Sequence, residues 1–264
     1  MTIGNIILAA AVMTAGAALA EQKGTEAKRE ALVFVGAHPD DSEGFAATAF
    51  RLKEKYDIHI VDLTRGELGL GRKGLEDGST ARRRTKEEEE ACAFLGAMPH
   101  FLHEVDGSAC AGKPSVDALV KLLDELKPRA VFTHWPVDSH ADHVQTAAVV
   151  ANALRFTVAK PERYFFEVMF CQTANYRPLY YVDVTATIDS KLKMLSLYAC
   201  QNSGNGLVDD NRNRAQVRGR ERGVAFAETF TTFDGKRIPG GVLEPYALSG
   251  DERGGSSAAA VRSF

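Results

Sequence analysis

Apolar and polar positions follow two different periods along the chain, and the two periods alternate. Short apolar runs typical of buried strands occur at 32–35, 58–63 and 130–133. Segments with apolar residues three and four positions apart, as in amphipathic helices, occur at 43–55, 80–95, 116–126 and 141–156. Strands that alternate with helices over short connections predict a mostly parallel sheet with helices on both faces.

The remainder of the chain continues this alternation less regularly. Strands are expected at 101–103, 164–170 and 179–184, and helices at 187–199 and 211–227. Residues 65–79 are rich in glycine and are expected to form a loop over the rim of a site. Ser115 is expected to cap the helix that follows it. No repeat or change in composition divides the chain, so we expect a single Rossmann-like α/β domain over residues 31–250, followed by a flexible tail at 251–264.

The N-terminus carries a different pattern. The first 20 residues are apolar and end in Ala18-Leu19-Ala20, a small-x-small cleavage pattern, and a polar linker follows at 21–30. This pattern predicts a signal peptide, a mature chain that begins near Glu21, and a secreted or periplasmic location. The segment before the apolar run lacks Lys and Arg, so an uncleaved membrane anchor is the alternative.

Composition and charge narrow the possible functions. The 264 residues include 32 Lys and Arg and 35 Asp and Glu, which gives a net charge of −3. A nucleic-acid-binding domain normally has a basic surplus, so we expect no nucleic-acid partner. The four cysteines match no zinc ribbon or C-x-x-C motif, and either disulfides or free thiols are compatible with their spacing: Cys92, Cys110, Cys171 and Cys200.

The residues that are candidates for catalysis or metal binding are concentrated where two predicted strands end. Ala37-His-Pro-Asp-Asp41 follows the first strand, and Thr133-His-Trp-Pro-Val-Asp-Ser-His-Ala-Asp-His143 begins in the strand at 130–133. Ligands of parallel α/β sheets bind outside the carboxyl ends of the strands. We therefore expect the two loops to converge at one edge of the sheet, and His134 and Trp135 are candidates to line a pocket there. A Trp135 ring packed beside Pro136 is the equal alternative for that residue.

The residue types in these loops are those of a catalytic zinc site. Such a site needs three N or O ligands and one open position. His38 and Asp41 are three residues apart on a tight turn, and His140 and His143 are three apart at the start of a helix. Asp40 lies between two candidate ligands and is free to accept a proton from a water molecule at the metal.

These paired motifs closely resemble those of the PIG-L/LmbE-like zinc-dependent N-deacetylases, which include N-acetylglucosaminyl deacetylases. The resemblance extends over about residues 31–230. It includes Arg84-Thr-Lys-Glu87 with Ala91 and Leu95-Gly96, and a C-terminal pattern of Gly219, Gly223, Ala227-Glu228 and Phe230. It implies an LmbE-like fold, one Zn²⁺ ion per chain, and removal of an acetyl group from an N-acetylated sugar or glycoconjugate. Relatives are often oligomeric, which leaves a homo-oligomer open.

The resemblance also implies a role for each residue of the motifs. It assigns His38, Asp41 and His143 as zinc ligands and Asp40 as the general base. It assigns His140 as a protonated group that faces the oxyanion, with Asp142 in support. Arg84 is similar to an arginine that lines the substrate pocket of relatives.

The sequence departs from the family pattern at two places, and two alternative functions remain open. Ala141 stands where many members have Pro, and Tyr198-Ala-Cys-Gln201 stands where relatives often have His-x-Ser-Gln. One alternative is a zinc hydrolase that acts on another amide or ester. The other is a non-catalytic sugar-binding protein, which we disfavour because Asp40 and every ligand position are retained.

Overall fold

The computed structural model describes residues 29–170 and 172–249. The predicted signal peptide, all but the last two residues of the 21–30 linker, Cys171 and the predicted tail lie outside the described residues. Within the described part of the chain, no helix combines the length and the apolar character needed to cross a membrane. No disulfide joins Cys92, Cys110 and Cys200 to one another.

The described residues form a seven-stranded mixed sheet in the order β3-β2-β1-β4-β5-β7-β6. Its strands are β1 Ala31–Gly36, β2 Asp57–Asp62, β3 Met98–Phe101, β4 Ala130–His134, β5 Glu162–Phe166, β6 Tyr180–Asp183 and β7 Ala227–Thr231. The first five run parallel to one another, and β7 runs antiparallel to both β5 and β6. Gly36 pairs with Asp62 and Val35 with Thr133, so the carboxyl ends of β1, β2 and β4 lie side by side.

Helices cover both faces of the sheet, as the alternation of periods predicts. They are α1 Ala46–Leu52, α2 Arg72–Asp77, α3 Ser79–Leu95, α4 Lys113–Leu126, α5 Ala141–Phe156, α6 Ile188–Leu195 and α7 Gly206–Arg220. Leu32 and Phe34 of β1 belong to the core beneath α1, α3 and α6. Val33 and Val35 belong to the core beneath α4 and α5. The described residues therefore fold as a single α/β domain of the expected class.

The structure differs from the predicted elements between residues 65 and 126. Ser115 does not cap α4, because the helix begins at Lys113 after Gly112 and has a proline in its first turn. The Ser115 hydroxyl instead donates to a carboxylate oxygen of Glu104. The strand expected at 101–103 lies at Met98–Phe101, and part of the expected glycine-rich loop forms α2.

The helix expected at 211–227 also ends early. A side chain at Gly219 would lie 2.7 Å from the carbonyl oxygens of Val224 and Ala225, so the returning backbone passes directly against the helix. Gly223 has φ 74°, a left-handed conformation that reverses the chain. The residues after this reversal form β7 rather than more helix.

Glu228 of β7 organises the loop that follows β1. Its carboxylate accepts hydrogen bonds from the backbone N–H groups of Ala47 (3.1 Å) and Thr48 (2.7 Å) at the start of α1. Lys191 lies 2.7 Å from the same carboxylate and also donates to the carbonyl oxygen of Glu43. Lys191 and Glu228 are both buried, so each depends on the other for charge compensation.

Removing the cation should leave the Glu228 carboxylate buried with no charged partner. We expect Lys191→Met to lower the free energy of unfolding by about 3–5 kcal/mol. The matched control is Lys193→Met, which makes the same change on the exposed side of the same helix. Urea denaturation of both variants measures the difference. Equal stabilities of the two variants would contradict this role for Lys191.

Candidate metal centre

The centre is built on the turn that connects β1 to α1. A Cβ atom at Gly36 would lie 2.9 Å from the Asp41 Cβ, so the turn folds back closely over the end of the strand. The Asp41 Oδ2 atom accepts hydrogen bonds from the N–H groups of Ala37 (2.7 Å) and His38 (2.8 Å). It also lies 3.0 Å from the His134 Nε2 atom. These contacts occupy Oδ2 and leave Oδ1 directed towards His143.

Two imidazoles face this carboxylate. The His143 Nε2 atom lies 3.4 Å from Asp41 Oδ1, and the His38 Nδ1 atom lies 3.6 Å from Asp41 Oδ2. The candidate donor atoms of the three residues all lie within 4.8 Å of one another. A tetrahedral ion with ligands at ~2.1 Å separates its donors by about 3.4 Å. The spacing and the N, O, N donor set therefore fit a zinc ion, and His38, Asp41 and His143 are the residues that could hold it.

Each imidazole is held on its far side by carboxylates. The His143 Nδ1 atom lies 3.2 Å from Asp138 Oδ1. The His38 Nε2 atom lies 3.1 Å from Asp142 Oδ2 and 3.3 Å from Asp106 Oδ1. A carboxylate behind a histidine fixes the ring orientation and makes the nitrogen that faces the metal more basic.

The carboxylates create a strongly negative environment. Burial lowers the pKa of His143, but Asp41 and Asp138 outweigh it and raise this pKa to about 9. Burial likewise opposes the protonated form of His38, yet Asp106, Asp142 and Asp41 hold its pKa well above the usual range. Burial tends to raise the pKa of Asp41, but His134 and His143 hold it well below its usual value. An environment with these properties favours positive charge, which suits a divalent cation.

Asp40 and Asp41 have different partners, which explains how two adjacent carboxylates share one turn. It has φ 108°, a left-handed backbone conformation that is costly for a residue other than glycine. Its Oδ1 atom lies 2.7 Å from the Arg84 Nη2 atom, and Arg84 also donates to the carbonyl oxygen of Pro39. Burial raises the pKa of Asp40 to about 7, against the opposing charge of Arg84. The group is therefore poised for proton transfer near neutral pH.

His140 and Asp142 lie at the centre but are arranged differently from the sequence-based expectation. Asp142 pairs with His38, and its carboxylate accepts hydrogen bonds from the N–H groups of Gly107 (2.7 Å) and Ala109 (3.3 Å). His140 Nδ1 accepts a hydrogen bond from the Asp142 N–H (3.3 Å), so Nε2 carries the proton of the neutral ring. Burial and the neighbouring His38 lower the pKa of His140, which favours a neutral donor over the expected imidazolium.

A cavity of about 560 Å³ opens over the centre. Its wall includes His38, Asp40, Asp41, Arg84, His140 and His143, together with Leu68 and Gly69 of the glycine-rich segment. His134 and Trp135 are not among the lining residues. His134 lies beneath Asp41, and Trp135 packs edge-to-face against Phe165, with ring centroids 5.6 Å apart. The structure thus brings all the predicted site residues together but excludes these two candidates from the pocket.

Sequence reasoning missed two of the three carboxylates behind the imidazoles, Asp138 and Asp106. Asp138 lies within the same loop as His140 and His143, so its position five residues before His143 offered a local signal. Asp106 lies in a segment with no recognisable motif, and only the three-dimensional fold brings it to His38. The partnership of His134 with Asp41 was equally hidden, because it depends on the pairing of β4 with β1.

The sequence around this centre is similar to that of known proteins. Residues 33–154 match the family model described as PIG-L, GlcNAc-PI de-N-acetylase. A 4-oxalmesaconate hydratase of Pseudomonas putida is 27% identical over 199 residues, which cover 68% of this chain and 77% of the relative. The matched family region includes both ends of the centre, His38 and His143.

Solved structures show the same fold. The conserved protein TT1542 from Thermus thermophilus superposes with a TM-score of 0.67 at 26% identity, covering 80% of this chain and 98% of that protein. The N,N'-diacetylchitobiose deacetylase from Pyrococcus horikoshii superposes with a TM-score of 0.68 at 23% identity, covering 76% of this chain and 82% of that protein. Residues 33–154 therefore match the PIG-L family model, and the described residues adopt an LmbE-like fold.

Proposed function

We propose that this protein is a zinc-dependent N-deacetylase that removes the acetyl group from an uncharged N-acetylated amino sugar. The products are acetate and a free amine. One observation carries the proposal: His38, Asp41 and His143 present three suitably spaced donors, while Asp40 lines the same cavity and is held by Arg84. A deacetylase needs this combination of a metal centre and a separate base.

The residues around the cavity have distinct tasks in this reaction. His38, Asp41 and His143 would hold a zinc ion, which would supply a Lewis acid and lower the pKa of water. Asp40 accepts the proton of the attacking water and returns it to the departing amine. The His140 Nε2–H group donates a hydrogen bond to the oxyanion that develops on the acetamide carbonyl. Asp106, Asp138 and Asp142 keep the two imidazoles in the orientation that this arrangement needs.

The charge of the cavity favours an uncharged substrate. Among the residues that the structure describes, five carboxylates line the cavity, and Arg84 is the one Lys or Arg side chain in its wall. The carboxylates are those of Asp40, Asp41, Glu43, Asp106 and Asp210. The Arg84 guanidinium already contacts Asp40. An acetamido sugar carries no charge and meets no repulsion in such a cavity, whereas a polyanion would be repelled.

Hydration of a polycarboxylate is the second candidate function, because the relative from Pseudomonas putida is a 4-oxalmesaconate hydratase. The carboxylate-rich lining of the cavity argues against it. A hydratase for an anionic substrate would need additional cationic side chains to bind the substrate carboxylates. We therefore place deacetylation first.

A substrate comparison tests this choice directly. We expect the zinc-loaded protein to release acetate from N-acetylglucosamine or its oligomers and to leave 4-oxalmesaconate unchanged. Acetate is measured by a coupled assay, and hydration by the loss of ultraviolet absorbance of the conjugated acid. Hydration of the polycarboxylate without any acetate release would overturn the proposed deacetylase.

The two adjacent carboxylates should respond differently to the same substitution. We expect Asp40→Asn to retain zinc but to lower kcat by the ~10²–10⁴-fold typical of a lost general base. Asp41→Asn should instead lose zinc, with activity partly restored by excess metal. Zinc content and kcat are measured for both variants. A near-normal kcat for Asp40→Asn would show that Asp40 is not the base.

Asp138 should affect the metal through His143. Asp138 Oδ1 also accepts from the His140 N–H (2.8 Å), and Oδ2 accepts from the Thr173 hydroxyl (2.9 Å), so its position is fixed. We expect Asp138→Asn to weaken zinc binding by about 10–100-fold. Chelator competition measures the affinity. Asp209→Asn, an equal change of charge at an exposed position, is the control. Equal zinc affinities of the two variants would contradict the role of Asp138.

A further inference from the structure

A second lobe lies beside the cavity over the metal centre. It has a volume of about 420 Å³ and shares the lining residues Glu43, Met169 and Asp210 with that cavity, so the two are adjacent. Its wall also includes Phe170 and Val217, which are 50% and 41% exposed. Large apolar side chains with this exposure beside a polar cavity form a surface that favours an apolar ligand group.

The buried polar groups of this lobe already form hydrogen bonds with one another. Arg214 Nη2 donates to the Glu43 carbonyl oxygen (2.6 Å) and to Asn211 Oδ1 (2.7 Å). The Glu43 Oε2 atom accepts from Asn211 Nδ2 (2.6 Å). A second sugar ring brings several hydroxyl groups that need partners, and the exposed polar side chains of the lobe are limited to Asp210 and Asn213 at its rim among the described residues. An alkyl or aryl group needs none.

The aromatic wall of the lobe is held in place. The Arg218 guanidinium lies over the Phe170 ring, 5.0 Å from its centroid. The same guanidinium forms two hydrogen bonds of 2.6 Å with the carboxylate of Glu167, which is buried. Arg218 is thus fixed by a bidentate pair, and it in turn supports one side of Phe170. A surface held in this way loses little entropy when a ligand binds.

We propose that this lobe, here called the apolar lobe and defined by Met169, Phe170 and Val217, binds an apolar group attached to the N-acetylated sugar. The substrate class is then an uncharged amino-sugar glycoside with an alkyl or aryl aglycone. The inference rests on the proposed deacetylase function for the placement of the sugar. It assigns the apolar lobe to the part of the substrate that does not react.

Two glycosides that differ only in chain length test the inference. They are the methyl and hexyl glycosides of N-acetylglucosamine, assayed by acetate release with the zinc-loaded protein. Burial of even two methylene groups corresponds to a gain of about tenfold in binding. We therefore expect kcat/KM to be at least about tenfold higher for the hexyl glycoside than for the methyl glycoside.

The variant Val217→Asp places a charge in the apolar lobe and should reduce this preference to near one. The control is Val158→Asp, the same substitution at an exposed valine outside the lobe, which should keep the preference. An equal kcat/KM for the two glycosides in the unmodified protein would overturn the inference. So would a preference that survives Val217→Asp.

A binding measurement separates this inference from the proposed function. If neither glycoside releases acetate, the deacetylase proposal fails, and isothermal titration calorimetry of both glycosides with the same proteins then decides the inference. Tighter binding of the hexyl glycoside that is lost in Val217→Asp supports the apolar lobe. Equal or undetectable binding of the two glycosides overturns it.

Discussion

The site depends on the Asp41 carboxylate, whose two oxygen atoms have different partners. One oxygen accepts backbone hydrogen bonds from Ala37 and His38 and contacts His134, which locks the turn at the end of β1. The other oxygen is left for His143 and for a metal. A side chain that both closes the turn and offers a ligand couples the local backbone to the chemistry, and the pairing of β1 with β4 brings His134 to this side chain.

The surrounding structure compensates for the cost of burying so much charge. Asp138 and Asp142 balance the imidazoles, and Arg84 balances Asp40. On the far side of the turn, Lys191 and Glu228 neutralise each other while they hold the Glu43 carbonyl and the start of α1. Each of these charges is matched by a partner on a different element, so contacts on both sides of the turn add to the hydrogen bonds within it.

Sequence patterns predicted most of the fold and most of the site because both depend on local periodicity and on strand order. The helix Ala141–Phe156 has the predicted bounds, and the two polar loops meet at the sheet edge as parallel strands require. The strand β7 was missed because the preceding charged helix hides the chain reversal at Gly223.

The roles of individual side chains were harder to predict than their positions. Asp142 was expected to support His140, but its carboxylate pairs with His38 across 104 residues of sequence. The contacts of Asp106 and His134 likewise join distant segments, and no spacing along one segment can show them. Such contacts follow from tertiary packing, which a single sequence does not reveal.

The most direct test of the account is the position of a bound metal. The measurement is an anomalous difference map at the zinc absorption edge, from crystals of the zinc-loaded protein. The account predicts one peak per chain within ~2.0–2.2 Å of donor atoms of His38, Asp41 and His143. Asp40 should lie outside the ligand set and remain paired with Arg84. A peak elsewhere, or one in which Asp40 replaces Asp41 as the ligand, would contradict the account.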